Sequence, residues 1–144
     1  MLVKNEIKLQ LPSKSSNESF ARIAIAAFFT QLDPTLDEIT DIKTAVSEAV
    51  TNCIVHGYAN SIGYIFIHAK IIDDNKIYIK IRDKGCGIEN VQKAIEPMYT
   101  TCKTGERSGL GFTVMQNFMD KLSVKSTKGG GTTVILTKTL KRRI

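Results

Sequence analysis

At 144 residues and 15.9 kDa, with 42% hydrophobic and 24% charged residues, the chain has the size and make-up of one globular domain, which excludes a second large domain and an intrinsically disordered chain. The formal charge of +6 is concentrated: Lys138, Lys141, Arg142 and Arg143 lie in the last seven residues with no acid among them, leaving +2 over residues 1–137. A basic tail from about 138 to 144 is not the folded basic surface that a phosphate backbone requires, so direct nucleic-acid binding is not expected.

In chain order, Ile7, Leu9 and Leu11 alternate with polar residues and predict a first strand with one apolar face. Pro12 and the serines after it end that strand. Ser15 and Glu18 stand at capping-box spacing, and Phe20, Ile23, Ala24, Ala27 and Phe28 recur at helical intervals, predicting an amphipathic helix packed through that face. After Asp33-Pro34, Thr35 and Glu38 offer a second capping box. It leads into Ile39, Ile42, Val46, Ala49, Val50, Cys53 and Ile54, a long helix that should run to about His56-Gly57, where the glycine can stop it. Tyr64 to Ile72 and Lys76 to Asp83 are β-rich runs separated by Asp73-Asp74-Asn75, the pattern of a hairpin.

A short helical segment is expected near Asn90 to Glu96. Pro97 to Ser108 has no periodicity and is long for a connection, which makes it a candidate lid. A further helix is expected from about Leu110, with Val114, Met115, Phe118, Met119 and Leu122 on one side. Ser123 to Thr127 and Thr132 to Leu140 predict a closing hairpin around Gly129-Gly130-Gly131. This β-αα-ββ-α-ββ order points to the α+β class: a two-layer sandwich in which a mixed, mostly antiparallel sheet is covered on one face by helices, in one domain spanning 1–144.

The longest uninterrupted apolar run, Ile23 to Phe29, is seven residues, whereas a membrane span needs roughly 20. The first six residues carry no apolar leader, so a cytoplasmic location is expected. Cys53, Cys86 and Cys102 form no CxxC pair and only two histidines accompany them, so free thiols are expected rather than a disulfide framework or a zinc site.

Several polar residues break the patterns around them. Ile77, Ile79, Ile81 and Asp83 share one side of a strand, so the alternation carries a carboxylate to the end of a buried row. A strand-end residue turned outward is the competing reading. Gly85-Cys86-Gly87 directly afterwards favours a recognition site for a donor, because closely spaced glycines let backbone approach a ligand. Glu48, Asn52 and His56 form a polar line at i, i+4 and i+8. An ordinary solvated stripe is the reading kept for His56, while an acid and an amide among small residues suit a general base and a magnesium ligand. Gly105, Gly109 and Gly111 bracket Glu106-Arg107-Ser108 just before a helix start, where free N–H groups would meet a phosphate. No GxxxxGK[ST] is present, and neither glycine cluster completes GxGxxG after a strand. Thr132 reads as a plain strand former unless Asp83 lies beside it.

In this order, Glu48-x-x-x-Asn52, Asp83-x-Gly85-x-Gly87, Gly109-x-Gly111 and Gly131-Thr132 resemble the four sequence boxes of the Bergerat ATP-binding fold, shared by gyrase, histidine kinases and MutL. Phe20-Ala21-Arg22, Gln31-Leu32-Asp33-Pro34-Thr35, Ser47-Glu48-Ala49-Val50-Thr51-Asn52, His56-Gly57-Tyr58 and Glu106-Arg107-Ser108-Gly109 are similar to the anti-sigma-F factors of endospore-forming bacteria, over nearly the whole chain. The resemblance implies an ATP-dependent serine kinase that, as an ATP-bound homodimer, holds a sporulation sigma factor away from RNA polymerase. An anti-anti-sigma protein would displace the sigma factor and be phosphorylated on serine.

Carried over by resemblance, Asp83 would accept from the adenine amino group with Thr132 in support, and Gly85 and Gly87 would belong to the nucleotide-binding residues. Asn52 would give an oxygen to Mg²⁺, and Glu48 would take the proton of the acceptor serine. Gly105, Ser108, Gly109 and Gly111 would surround the phosphates of ATP or ADP, Arg107 would reach the γ-phosphate, and Arg22 would touch both protein partners. The first strand would form the homodimer interface. A related kinase serving a stress-response sigma factor, or an ATP-gated sigma-binding module with negligible turnover, are the alternatives. Cys102-Lys103-Thr104-Gly105 and Gly129-Gly130 depart from the family pattern.

Overall fold

The alternation of Ile7, Leu9 and Leu11 produces a first strand, β1 (Val3–Pro12), and Pro12 ends it. The computed structural model describes residues 1–96 and 111–141, so the candidate lid lies outside the described residues. Helices α1 (Ser16–Phe29) and α2 (Leu36–Asn52) follow, then strands β2 (Tyr64–Ile72) and β3 (Lys76–Asp83), a short helix α3 (Val91–Ile95), helix α4 (Gly111–Phe118), and strands β4 (Lys121–Ser126) and β5 (Thr132–Thr139).

The sheet runs β1-β2-β3-β5-β4, and every ladder among the described residues is antiparallel, which narrows the expected mixed, mostly antiparallel sheet. Its register stacks apolar residues in rows across all five strands. Leu9 pairs with Ile67, Ile67 with Ile81, Ile81 with Val134, and Val134 with Val124. Ile67, Ile81 and Val134 are buried beneath the helices, and burying a side chain of this size contributes about 1.5–3 kcal/mol. The next row toward the strand ends carries Asp83 opposite Thr132, and Thr132 opposite Ser126. Strand register therefore delivers polar groups to the rim of the core.

Helix α1 packs through Ala21, Ile25 and Phe29, whereas Phe20 and Ile23, expected to be buried, are 54% and 56% exposed. Every residue from 20 to 29 except Arg22 is apolar, so several faces fit a helical period and periodicity alone could not choose among them. Nor does the expected Ser15–Glu18 capping box form: Ser15 makes no side-chain cap bond, and the Glu18 carboxylate instead accepts from Arg22 Nε at 3.0 Å. Leu122, expected on the helix before it, belongs to β4 because α4 stops at Phe118.

The second capping box does form. Glu38 N–H donates to Thr35 Oγ1 at 3.1 Å, and Thr35 N–H donates to Glu38 Oε1 at 2.9 Å. The other oxygen of Glu38 accepts from Lys141 N–H at 2.9 Å, tying the end of the chain to the start of α2. Burial pushes the Glu38 carboxyl up, but the bonds from Thr35 and Lys141 outweigh it and hold the carboxyl below its ordinary value. A depressed folded-state value contributes stability above the unfolded value, lost as pH falls through the folded one. Glu38→Ala should thus cost about 1–2 kcal/mol at neutral pH. Chemical denaturation against pH should show the gap from the parent closing as the solution is acidified.

Candidate functional site

The polar rim begins at the end of β3. Alternation sends Asp83 inward after three isoleucines, and only 4% of its surface is exposed. A buried carboxylate requires donors. Oδ1 accepts from Gly85 N–H at 2.8 Å and from Thr132 N–H at 3.3 Å, and the buried Cys53 thiol also bonds to the carboxylate. Burial raises the Asp83 carboxyl above its ordinary value, while the bonds from Gly85, Cys53 and Thr132 pull it partway back. Burial likewise pushes the Cys53 thiol well up, with the Asp83 charge adding to it.

The loop after Asp83 passes so close to other backbone that side chains are excluded from it. A Cβ on Gly85 would fall 2.0 Å from Gly57 O, and Gly87, at φ 73°, would place one 1.9 Å from Thr127 O. Cys86 N–H donates to Gly57 O at 2.8 Å, fixing the loop to the residues that follow α2. Those residues, Cys53–Gly57, form a π turn rather than the continued α-helix expected to His56-Gly57, a deviation that recurs at functional sites. Gly57 itself lies against the carboxylate, its missing Cβ position 2.8 Å from Asp83 Oδ2.

Thr132 stands beside Asp83, as a shared site requires. Its hydroxyl lies 2.8 Å from Ser126 Oγ, which also bonds to Gly131 O at 2.8 Å and accepts from Ile88 N–H at 2.7 Å. Ser126 has one proton, and only Ser126 can donate to a carbonyl. Thr132 must therefore donate to Ser126, which leaves its own lone pairs to accept from another donor. Asp83 and Thr132 together form an acceptor pair suited to a ligand's amino group.

Further back along α2, Glu48 and Asn52 stand one turn apart, both half-buried. Their partner is the first residue of α4. A Cβ on Gly111 would lie 3.1 Å from Asn52 Nδ2 and 3.2 Å from Glu48 Oε2. A glycine of α4 thus lies against an acid and an amide. The structure brings Glu48, Asn52 and Gly111 together, and Asp83, Gly85, Gly87 and Thr132 together, with α2 and its π turn connecting the two groups. Gly105, Arg107, Ser108 and Gly109 lie outside the described residues. Arg22 is elsewhere, on α1, paired with Glu18.

Sequence reasoning missed Ser126 and Cys53 as parts of the site. Ser126 was accessible through the closing hairpin, since a cross-strand neighbour of Thr132 follows from its register. Cys53 follows Asn52 directly but read only as core. Among the described residues no helix is long and apolar enough to cross a membrane, and Cys53 and Cys86 are free thiols.

The family described as histidine kinase-like ATPase domain matches residues 11–138. Among curated relatives, the chain is 60% identical to the anti-sigma F factor of Caldanaerobacter subterraneus subsp. tengcongensis over 138 residues, 96% of each chain. It is 54% identical to the anti-sigma F factor of Priestia megaterium over 139 residues, 96% of this chain and 95% of that one. Among solved structures, the RsbU and RsbW domains of Rv1364c from Mycobacterium tuberculosis share the fold at a TM-score of 0.69 and 21% identity, over 96% of this chain and 33% of that one. The fold, the family match over residues 11–138 and these relatives agree: the chain belongs to the histidine kinase-like ATPase domain family, among the anti-sigma F factors.

Proposed function

We propose that the protein is an ATP-dependent serine kinase and anti-sigma factor that binds the sporulation sigma factor F and phosphorylates an anti-anti-sigma protein. The observation that carries this reading is the pairing of two groups joined by α2 and its π turn: an acceptor pair, Asp83 and Thr132, and an acid–amide pair, Glu48 and Asn52, against Gly111. An adenine amino group donates to the first. A hydrogen bond to a charged acceptor is worth about 1.5–3 kcal/mol, enough to favour adenine over guanine, which presents no amino group there.

The phosphates then lie toward Gly111, and Gly105, Ser108, Gly109 and Arg107 are expected to join them there. ATP supplies the γ-phosphoryl group, and Mg²⁺ neutralises charge on its phosphates. Among the described residues no three acidic, histidine or cysteine side chains converge as a metal cage. A single amide oxygen from Asn52 suits Mg²⁺, which takes much of its shell from phosphate and water. Glu48 accepts the proton of the attacking serine hydroxyl, and the rest of the catalysis is positioning and charge neutralisation.

Protein partners are best accommodated on α1. Arg22, paired with Glu18, and the exposed Phe20 and Ile23 lie on different sides of this helix, so it offers both a cationic and an apolar contact to protein partners. The ten-residue β1 at the edge of the sheet supports homodimerisation through that strand, which would cover an otherwise available edge. Each step is expected to take place in the cytoplasm, in a domain spanning the whole chain. Purified protein should capture sigma factor F in the presence of MgATP and release it when the unphosphorylated anti-anti-sigma protein is added. Equal capture with and without nucleotide would contradict the reading.

A further inference from the structure

Tyr58 follows the π turn, and its hydroxyl joins the start of β2, six residues on, to the loop after β3, 26 residues on. It accepts from Lys84 N–H at 2.8 Å and donates to the carbonyl of Tyr64. Lys84 is the residue after Asp83, where the β3–β5 ladder has ended, so its N–H has no strand partner there and Tyr58 supplies one. The ring is held from below. A Cβ on Gly63 would fall 2.2 Å from Tyr58 Cε1, so only glycine admits the ring at that position.

Gly63 is fixed in turn. Ser13 N–H donates to Gly63 O at 2.8 Å, and Gly63 N–H donates to Ser13 Oγ at 3.0 Å, with Ser13 2% exposed. Beyond Lys84, the loop is tied by Cys86 N–H to Gly57 O at 2.8 Å and by the Cys86 thiol to His56 O at 3.0 Å. Cys86 O accepts from Gly129 N–H at 2.6 Å, so the far side of the loop rests on the β4–β5 turn. The Tyr58 hydroxyl is the side-chain support nearest Asp83 in sequence, and its ring rests on Gly63, which Ser13 holds through two hydrogen bonds.

We infer that Tyr58 is a positioning residue for base recognition: its hydroxyl sets the height of the Lys84–Gly87 loop and thereby aims the Asp83 carboxylate at the base amino group. This rests on the nucleotide reading given above. Tyr58 touches neither the base nor the phosphates in this account and acts through Lys84.

Tyr58→Phe keeps the ring on Gly63 and removes only the hydroxyl. The test is competitive displacement of a fluorescent nucleotide by MgATP and by the magnesium complex of purine riboside triphosphate, which lacks the amino group. The parent should prefer ATP by about tenfold, the value of one charge-assisted hydrogen bond. In Tyr58→Phe that preference should fall to within about twofold, because ATP binding weakens while the analogue is held as before. Gly63→Ala, whose methyl group would meet the ring, should produce the same loss from the other side. General destabilisation would lower the folded fraction and leave the ratio of affinities unchanged. A folded Tyr58→Phe or Gly63→Ala protein with the parent's ATP preference would overturn the inference while leaving the nucleotide reading intact. A parent that binds neither nucleotide would overturn both.

Discussion

Glu48→Gln is expected to reduce phosphoryl transfer to the anti-anti-sigma protein by about 100-fold or more, the usual contribution of a positioned general base. The amide keeps the size of the side chain but cannot take up the serine proton. Nucleotide binding should be nearly unaffected, with MgATP affinity within about twofold of the parent, because a general base at Glu48 would accept from the attacking group and not from the nucleotide. Glu48 sits on α2 directly across from Gly111. On the proposed reading, chemistry and base recognition fall to different residues, and single-turnover transfer measured beside equilibrium binding resolves them. Transfer at the parent rate in Glu48→Gln would remove this residue from the role of base.

Asp83→Asn is expected to act on base recognition. The amide oxygen can still accept from Gly85 and Thr132, but its NH₂ group would face the base amino group, so donor meets donor. MgATP affinity should fall by about 10- to 100-fold, the loss of a charge-assisted bond. Stability without nucleotide should be unchanged or higher, because the variant no longer buries a charge. The pH dependence gives a sharper signature.

Burial raises the Asp83 carboxyl, so the folded state binds its proton more tightly than the unfolded chain does. Its contribution to stability is fully present below the unfolded value and lost as pH rises through the folded one. Base recognition runs the opposite way, since the acceptor must be ionised, and ATP affinity should fall as pH drops through the same raised value. Thermal unfolding with and without MgATP, from about pH 4 to 8, should show both slopes in the parent and neither in Asp83→Asn. Slopes that persist in the variant would place the titrating group elsewhere.

The strands were legible in the sequence to a degree that the helices were not. Tyr64–Ile72 and Lys76–Asp83 have the bounds that alternation and the Asp73-Asp74-Asn75 break suggest, because a period of two leaves one choice of buried face. The same alternation located Asp83, whose burial is its most informative property. On α1 the apolar residues were too numerous to define a stripe, and the stripe read as core proved to be partly the exposed one. Thr35 and Glu38 cap as their spacing suggests, whereas Glu18, at the same spacing from Ser15, was claimed by Arg22 one turn later. Capping spacing permits a bond without compelling it.

Contacts that close the site were less accessible. Tyr58 meets Lys84 across 26 positions, and Ser126 reaches Ile88 across 38, through loops whose paths no local pattern encodes. The π turn at Cys53–Gly57 was read as ordinary helix because its composition is helical, and only the need to bring Gly57 against Asp83 and Gly85 distinguishes it. Local pattern thus located individual chemical groups, and tertiary register assembled them.

The most direct test of the account is transfer of labelled γ-phosphate from MgATP to purified anti-anti-sigma protein, with nucleotide occupancy read in the same sample. Labelled phosphoserine appearing with the parent and absent with Glu48→Gln is the result expected. Full ATP occupancy without transfer would contradict the kinase assignment and leave a nucleotide-gated binding module, and a protein that takes up no ATP would contradict the reading of the site itself.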